Sequence, residues 1–168
     1  MQAPLNPLSV AYRDAMRRQA STVTIVSAGT TEQRHGITAT AMTCVSMEPP
    51  SLLICINRRN YLHPFLDGQE YFCVNLLHCS HVEVSEVFSG KRPTKNRFEW
   101  GNWATHTTGL PYLKDAQSNV FCRRTLAIPY GSHTIFIGEV FEVETRSEIA
   151  PLMYANGRYA TCTPMGSY

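Results

Sequence analysis

The residues best suited to chemistry cluster in one stretch, Gly36 to Pro50. There Thr38, Thr40, Thr43 and Ser46 are separated by Ala39, Ala41 and Val45, and the run ends in Pro49-Pro50. Small side chains let a flat ligand approach the backbone. Main-chain N–H and C=O groups can then bond its edge, while hydroxyls serve sugar or phosphate oxygens. A solvated, Thr-rich strand followed by a turn accounts for the same residues. Two further polar groups end apolar runs: Asn57 closes Ser51-Leu-Leu-Ile-Cys-Ile-Asn57, and Asn75 lies near the end of Tyr71 to Leu77. Their parallel placement is expected to mark a shared polar site beside the core, or each Asn to satisfy a turn.

Cations come in short groups, Arg17-Arg18, Arg58-Arg59, Lys91-Arg92 and Arg123-Arg124. The loop from Ser89 to Arg97 holds Lys91, Arg92, Lys95 and Arg97 with Gly90 and Pro93 to bend it, a pattern suited to phosphate. His78, Cys79 and His81 are all metal-ligating types. A structural zinc site wants four ligands in paired spacings, and no second cluster completes one, so no metal is expected. Neither G-x-S-x-G, G-x-G-x-x-G nor G-x-x-x-x-G-K occurs, so a nucleotide would be bound without a Rossmann or P-loop site.

The elements that must position these groups are mostly strands. Ser9 is expected to cap a helix from Val10 to Arg18. Thr22 to Ser27 is a β-branched strand that turns through Ala28–His35 into the Gly36 stretch. Ser51–Asn57 and Tyr71–Leu77 read as buried strands, with short helices at His63–Leu66 and Val82–Phe88. A short strand is expected at Phe98–Trp103. Ser118–Ala127 and Thr134–Thr145 form a hairpin about Pro129-Tyr-Gly-Ser132, and His133 opens its second arm. Seven or so strands without a βαβ rhythm predict a mainly β fold, a closed antiparallel barrel with helical additions.

The 168 residues, 43% of them hydrophobic, fit one domain with a core from about residue 10 to 162. Fifteen Lys and Arg against 13 Asp and Glu give a net charge of +2, which leaves no footprint for nucleic acid or a membrane surface. No run is long enough to span a bilayer and the N-terminus lacks a signal-peptide layout, so a cytoplasmic protein is expected. The six cysteines, without a CxxC pair, read as free thiols rather than disulfides.

In order along the chain, Tyr12-Arg-Asp-Ala-Met16, Val23-Thr-Ile-Val26, Gly36-x-Thr-Ala39, Val45-Ser-x-x-Pro-Pro50 and Leu53-x-Cys-x-Asn57 are followed by Phe72-x-Val-Asn75, Phe88-Ser-Gly-Lys91 and Arg97-Phe98. Gly109-x-Pro111, Gly131-x-His133, Gly138-x-Val140 and Pro151-Leu-x-Tyr154 complete the set. This order resembles the short-chain flavin reductases, the reductase components of two-component flavin monooxygenases, over roughly Tyr12 to Tyr159.

The resemblance implies a split β-barrel homodimer that binds FMN or FAD, takes hydride from NADH or NADPH, and hands reduced flavin to a separate monooxygenase. It implies that Thr38, Ala39 and Thr40 line the isoalloxazine edge. Ser46, Asn57 and Arg58 would reach toward the ribityl chain and phosphate, with Asn75, Lys91 and Arg97 nearby. His133 would sit on the nicotinamide side as an orienting group. The chain departs from the family in having Thr40-Ala41 where many members carry a serine pair, and Ser132 where many carry an acid. A reductase of another acceptor, such as corrinoid cobalt or ferric iron, and a non-catalytic flavin- or haem-binding barrel are the alternative readings.

Overall fold

The computed structural model describes residues 6–163. The single-domain expectation for 1–168 therefore runs beyond the described residues at both ends. The first element is α1 (Pro7–Met16), capped by Asn6 rather than Ser9. The Asn6 Oδ1 accepts from Ser9 N at 2.7 Å, and Pro7, which has no N–H to leave unpaired, begins the first turn. The strands that follow are β1 (Ser21–Thr22), β2 (Thr24–Gly29), β3 (Arg34–Ala39), β4 (Met42–Met47) and β5 (Pro50–Asn57). Then come α2 (His63–Gly68), β6 (Tyr71–Leu76), α3 (Val82–Ser89), β7 (Trp103–Thr105) and β8 (Pro111–Leu113). The long strands β9 (Ser118–Tyr130) and β10 (His133–Thr145) precede the closing pair β11 (Leu152–Ala155) and β12 (Arg158–Thr161).

Seven strands form one antiparallel sheet in the order β3-β2-β6-β9-β10-β5-β4. Its two edges, β3 and β4, are consecutive in sequence, yet they are not hydrogen-bonded neighbours. The closed barrel expected from the strand count is corrected: the sheet is a split barrel, mainly β with short peripheral helices, and it opens at the Thr40-Ala41 link. The Gly36–Pro50 stretch, expected as one strand and a stop, is in fact these two edge strands, and Pro50 begins β5. Inside the curl, Val26, Ile37, Leu52, Ile54, Ile56, Phe72, Val74 and Phe136 form the main core. Gly138 makes it possible: a Cβ there would lie 2.5 Å from the Phe72 ring and 2.7 Å from Cys122 Cβ. A second core, under α3 and β8, holds Val23, Ile25, Leu77, Val87, Phe88 and Leu113.

Two local expectations are corrected. Phe98–Trp103 is not a strand: Arg97–Glu99 is a 3-10 turn capped by the Asn96 side chain, and pairing starts only at Trp103. Pro129 and Tyr130 belong to β9, paired with Thr134 and His133, so the loop is only Gly131-Ser132. Gly131, at φ +54°, supplies the left-handed step that a two-residue loop requires. All six cysteines are free thiols, Cys73 and Cys122 fully buried among them.

Candidate functional site

The site forms at the open edge of the split barrel. Strand β3 pairs only with β2, so alternate backbone groups along Thr38–Thr40 have no ladder partner on their outer side. Three of the nearby polar groups are already committed, among them Thr40 O, which accepts from Met42 N at 3.1 Å. The Thr38 hydroxyl donates to Ser85 O at 2.7 Å, which fastens β3 to α3, and Thr24 Oγ1 donates to Ala39 O at 2.8 Å. Thr38 therefore offers its backbone, while the exposed Thr40 still offers its hydroxyl.

A slot of about 150 Å³ lies against this edge, lined by Thr38, Ala39, Thr40, Ser89, Lys91, Tyr154 and Tyr159. The Lys91 ammonium stands over both rings, 5.4 Å from Tyr154 and 5.1 Å from Tyr159. Tyr159 is held in turn by a 3.0 Å hydrogen bond with Ser85 Oγ. Beyond Thr40 and Tyr154, which border both spaces, a groove of about 530 Å³ continues between Thr40–Thr43, Leu53 and Cys55 on one side and α1 with the β11–β12 turn on the other. An unpaired strand edge, small side chains, flanking aromatics and one cation fit a flat heteroaromatic ligand that carries a phosphate.

Side-chain alternation carries the groove's wall further along the sheet. On β5, Leu52, Ile54 and Ile56 face the core, so Leu53, Cys55 and Asn57 share the outer face. On β10, Ile137, Ile135 and His133 pair with those three residues, and on β9 Leu126, Ile128 and Tyr130 pair in turn with Ile137, Ile135 and His133. His133 therefore stands one alternation, roughly 7 Å, beyond Cys55 on the same face. Its Nδ1 is 2.9 Å from Ser132 Oγ. Arg58 donates from Nη2 to Gly131 O and from its backbone N to Ser132 O, so Asn57, Arg58 and the His133 turn form one locked corner.

The remaining expected residues lie elsewhere. Asn75 is fully buried, and its hydrogen bonds are consumed internally: Nδ2 donates to Ile25 O (2.7 Å) and Ser27 Oγ (3.0 Å), and Oδ1 accepts from Leu113 N (2.7 Å). No atom of it faces a ligand. Ser46 sits opposite Ser51, six residues from Asn57 along β5, which is roughly 20 Å, and its hydroxyl is tied to the backbone of Glu48. Within one chain, Ser46 and Asn57 cannot hold the same phosphate.

Arg97 lines a separate cleft of about 310 Å³ with Arg34, His35, Tyr61 and Lys95. It stacks 4.6 Å over the Tyr61 ring and donates to the Tyr61 oxygen, while Tyr61 donates to Gly36 O at the start of the site strand. Burial raises the Tyr61 pKa and Arg97 opposes that rise, so this phenol stays a donor. Sequence reasoning does not find Tyr61, and it names Tyr154 and the α1 residues only within motifs and a cation pair rather than as site residues. Aromatics and helix-end arginines carry no spacing signal of their own, and only tertiary folding brings them to β3.

His78, Cys79 and His81 supply structural caps. The His78 ring accepts from Ser80 N at 3.2 Å, and the His81 ring accepts from His78 N at 3.2 Å. Among the described residues no group of three or more His, Cys, Asp or Glu is arranged to hold a metal ion.

Comparison with known proteins agrees with this geometry. The family model of the flavin reductase like domain matches residues 16–163. The reductase component of an FADH(2)-dependent resorcinol hydroxylase from Rhizobium sp. (strain MTP-10005) is 45% identical over 157 residues, covering 92% of this chain and 88% of that one. An FMN reductase (NADH), RutF, from Stutzerimonas stutzeri is 38% identical over 148 residues, covering 88% and 85%. Among solved structures, the flavin reductase component BorF of a bacterial two-component tryptophan halogenase superposes with a TM-score of 0.84 at 26% identity, covering 94% of this chain and 99% of that one. With the family model matching residues 16–163 and a 45%-identical relative covering 92% of the chain, this chain belongs to the flavin reductase family.

Proposed function

We infer that this chain is an NAD(P)H:flavin oxidoreductase that binds FMN or FAD in the groove beside Thr38–Thr40 and hands the reduced flavin to a separate oxygenase. The observation that carries the reading is the unpaired β3 edge between a Lys91-bearing slot and a larger groove, both bordered by Thr40 and Tyr154. A bound flavin supplies the hydride acceptor, so the protein has to supply binding and orientation rather than a nucleophile. Edge N–H groups of β3 offer hydrogen bonds to the ring's polar rim, and Lys91 attracts its phosphate. His133 and Asn57, further along the wall, are placed to orient the nicotinamide. They need move no proton, because hydride delivery requires none from the protein in that step.

The relatives support both flavins, one named for an FADH(2)-dependent hydroxylase and one as an NADH-dependent FMN reductase. A homodimer belongs to the same reading. The outer face of β9–β10 leaves Leu126 53%, Ile128 46% and Tyr130 81% exposed, continuous with the groove wall at Leu53 and Cys55. A second copy seated there would cover that apolar face and wall the groove. A cytoplasmic location fits a chain in which no described helix is long and apolar enough to cross a membrane.

The test is anaerobic stopped-flow absorbance: protein with FMN or FAD, mixed with NADH or NADPH. Fast bleaching of the oxidised flavin band is expected, from a species that sediments as a dimer. Flavin that binds but is reduced by neither nucleotide would overturn the catalytic reading, and a sedimenting monomer would overturn the seat for a second copy.

A further inference from the structure

The cleft around Arg97 is cationic, with Arg34, Lys95 and Arg97 in its lining and no carboxylate among the residues that form it. None of the three pairs with an acid among the described residues. Arg92, in the same loop as Lys95 and Arg97, is by contrast held by Glu83 at 3.1 Å and Glu86 at 3.3 Å. Glu99, just past Arg97, accepts from the Asn96 amide at 3.2 Å instead. Arg97 is fixed and still has donors left. Its Nη1 serves the Tyr61 oxygen and Phe88 O, the latter at 3.4 Å. Nε and Nη2 have no protein partner among the described residues, and those two N–H groups are the side of a guanidinium that grips phosphate in a bidentate way. Arg34 is seated over the Phe98 ring, 4.9 Å from its centroid.

This cleft adjoins the Lys91 slot along the site strand. It takes Arg34, His35 and Gly36 of β3, and the slot takes Thr38, Ala39 and Thr40. On the loop side Gly90 stands between them: its neighbours Ser89 and Lys91 line the slot, and a Cβ on Gly90 would lie 3.9 Å from Arg97 Nη2. Gly90 is the left-handed cap of α3, at φ +82°, and having no side chain it leaves that passage open. FMN carries one phosphate, which Lys91 attracts. In FAD a second phosphate is joined to the first through one oxygen, so it must lie beside the first, with adenosine following. Beyond Lys91, the cations on the β3 side are those of the cleft, and Tyr61, 41% exposed beneath the Arg97 plane, offers a flat partner for a purine.

Resting on the reading of a flavin held at Thr38–Thr40 with its phosphate at Lys91, we propose that this cleft is an adenylate site: Arg97, Arg34 and Lys95 bind the second phosphate of FAD, and FAD is the flavin this chain holds more tightly. A merely solvated cationic patch would act on both flavins alike, through weak and screened attraction.

The experiment is equilibrium titration with FMN and FAD, together with steady-state KM for NADH at saturating flavin. It compares the parent with Lys95→Gln and Arg34→Gln/Lys95→Gln, which leave the Arg97–Tyr61–Gly36 chain of hydrogen bonds in place. The parent should bind FAD more tightly than FMN, by a margin that narrows as salt rises. Lys95→Gln should weaken FAD about 3-fold and the double variant about 10-fold, while FMN affinity and the NADH KM move by less than about 2-fold and Tm holds. Lys95→Arg should keep the parent's FAD affinity. Arg97→Lys, which keeps the charge and loses the fork, should weaken FAD more than FMN. FAD affinity unchanged in the double variant, FMN weakened as much as FAD, or a raised NADH KM with FAD affinity intact overturns the proposal. Lys91→Ala separates it from the reading beneath it. If that variant weakens both flavins while the cleft variants change nothing, only this inference falls, and if it leaves both flavins unaffected, the phosphate seat at Lys91 falls with it.

Discussion

Two asparagines at the ends of neighbouring apolar runs look alike in sequence and have opposite fates in the fold. Asn75, on the central strand β6, is buried, and together with Asn119, whose Nδ2 donates to Leu113 O, and Ser27, whose Oγ donates to Pro111 O, it clamps β8 onto the sheet. Asn57, at the end of β5, is exposed opposite His133, and its side chain accepts only from Arg59 N at 2.9 Å. Strand position decides between them. A polar group on a central strand covered on both faces must be satisfied by protein, so it becomes structure. The same group at a strand end beside an open edge keeps its capacity for a ligand.

The strongest test of that contrast is to truncate both. Asn75→Ala orphans the Leu113 N–H and leaves a polar cavity, so a loss of about 3 kcal/mol in unfolding free energy is expected. Asn57→Ala, at an exposed turn, should stay within about 0.5 kcal/mol of the parent. Urea denaturation measures both. Equal losses at the two sites would break the comparison.

A smaller effect is expected where the outer face meets the proposed nicotinamide position. His133→Ala removes a ring that packs into no core, so Tm should hold, while kcat/KM for the nicotinamide donor falls about 10-fold, mostly through KM. Flavin affinity should move less than 2-fold. An unchanged KM would take His133 out of that position.

These cases show what sequence can and cannot deliver here. β-Branched and aromatic runs bounded by turn residues make most of the long strands legible, β5 among them through its continuous apolar run Ser51–Asn57. The separation of Ser46 from Asn57 was not readable. It depends on the hairpin that sends β4 back along β5, which the resemblance's assignment of both residues to the ribityl chain and phosphate does not take into account. Nor was the burial of Asn75, since nothing local announces that β8 will fold over β6. Tyr61 was silent for the same reason: its partner Gly36 is distant in sequence. The stretch Thr38 to Thr40 stands out in the sequence because its small side chains, which allow close approach to the backbone, are visible there, and the fold places it at the unpaired β3 edge.

The smallest expected effect concerns the sealed side of the molecule under acid. His81 lies beside Asp115, its Nε2 3.4 Å from Oδ2. Burial nonetheless holds its pKa below 6.5; Asp115 pulls it upward, and His78 and Arg146 push it down further. His35, its ring stacked on Phe65 at 3.4 Å between centroids, is also lowered by burial. With both folded values below those of the unfolded chain, the unfolded state binds more protons just under pH 6.5. The contribution of these rings to stability is therefore complete above about pH 6.5 and declines as pH falls toward the depressed values. Urea midpoints should be flat from pH 8 to 7 and drop between pH 6.5 and 5.5, and His81→Gln should shift the whole curve down while shallowing that drop. The groove residues play no part in this, so FMN affinity per folded molecule should stay constant across the same range. A parent midpoint that rose on acidification, or a variant with the parent's slope, would mean that His81 does not titrate as a buried neutral ring.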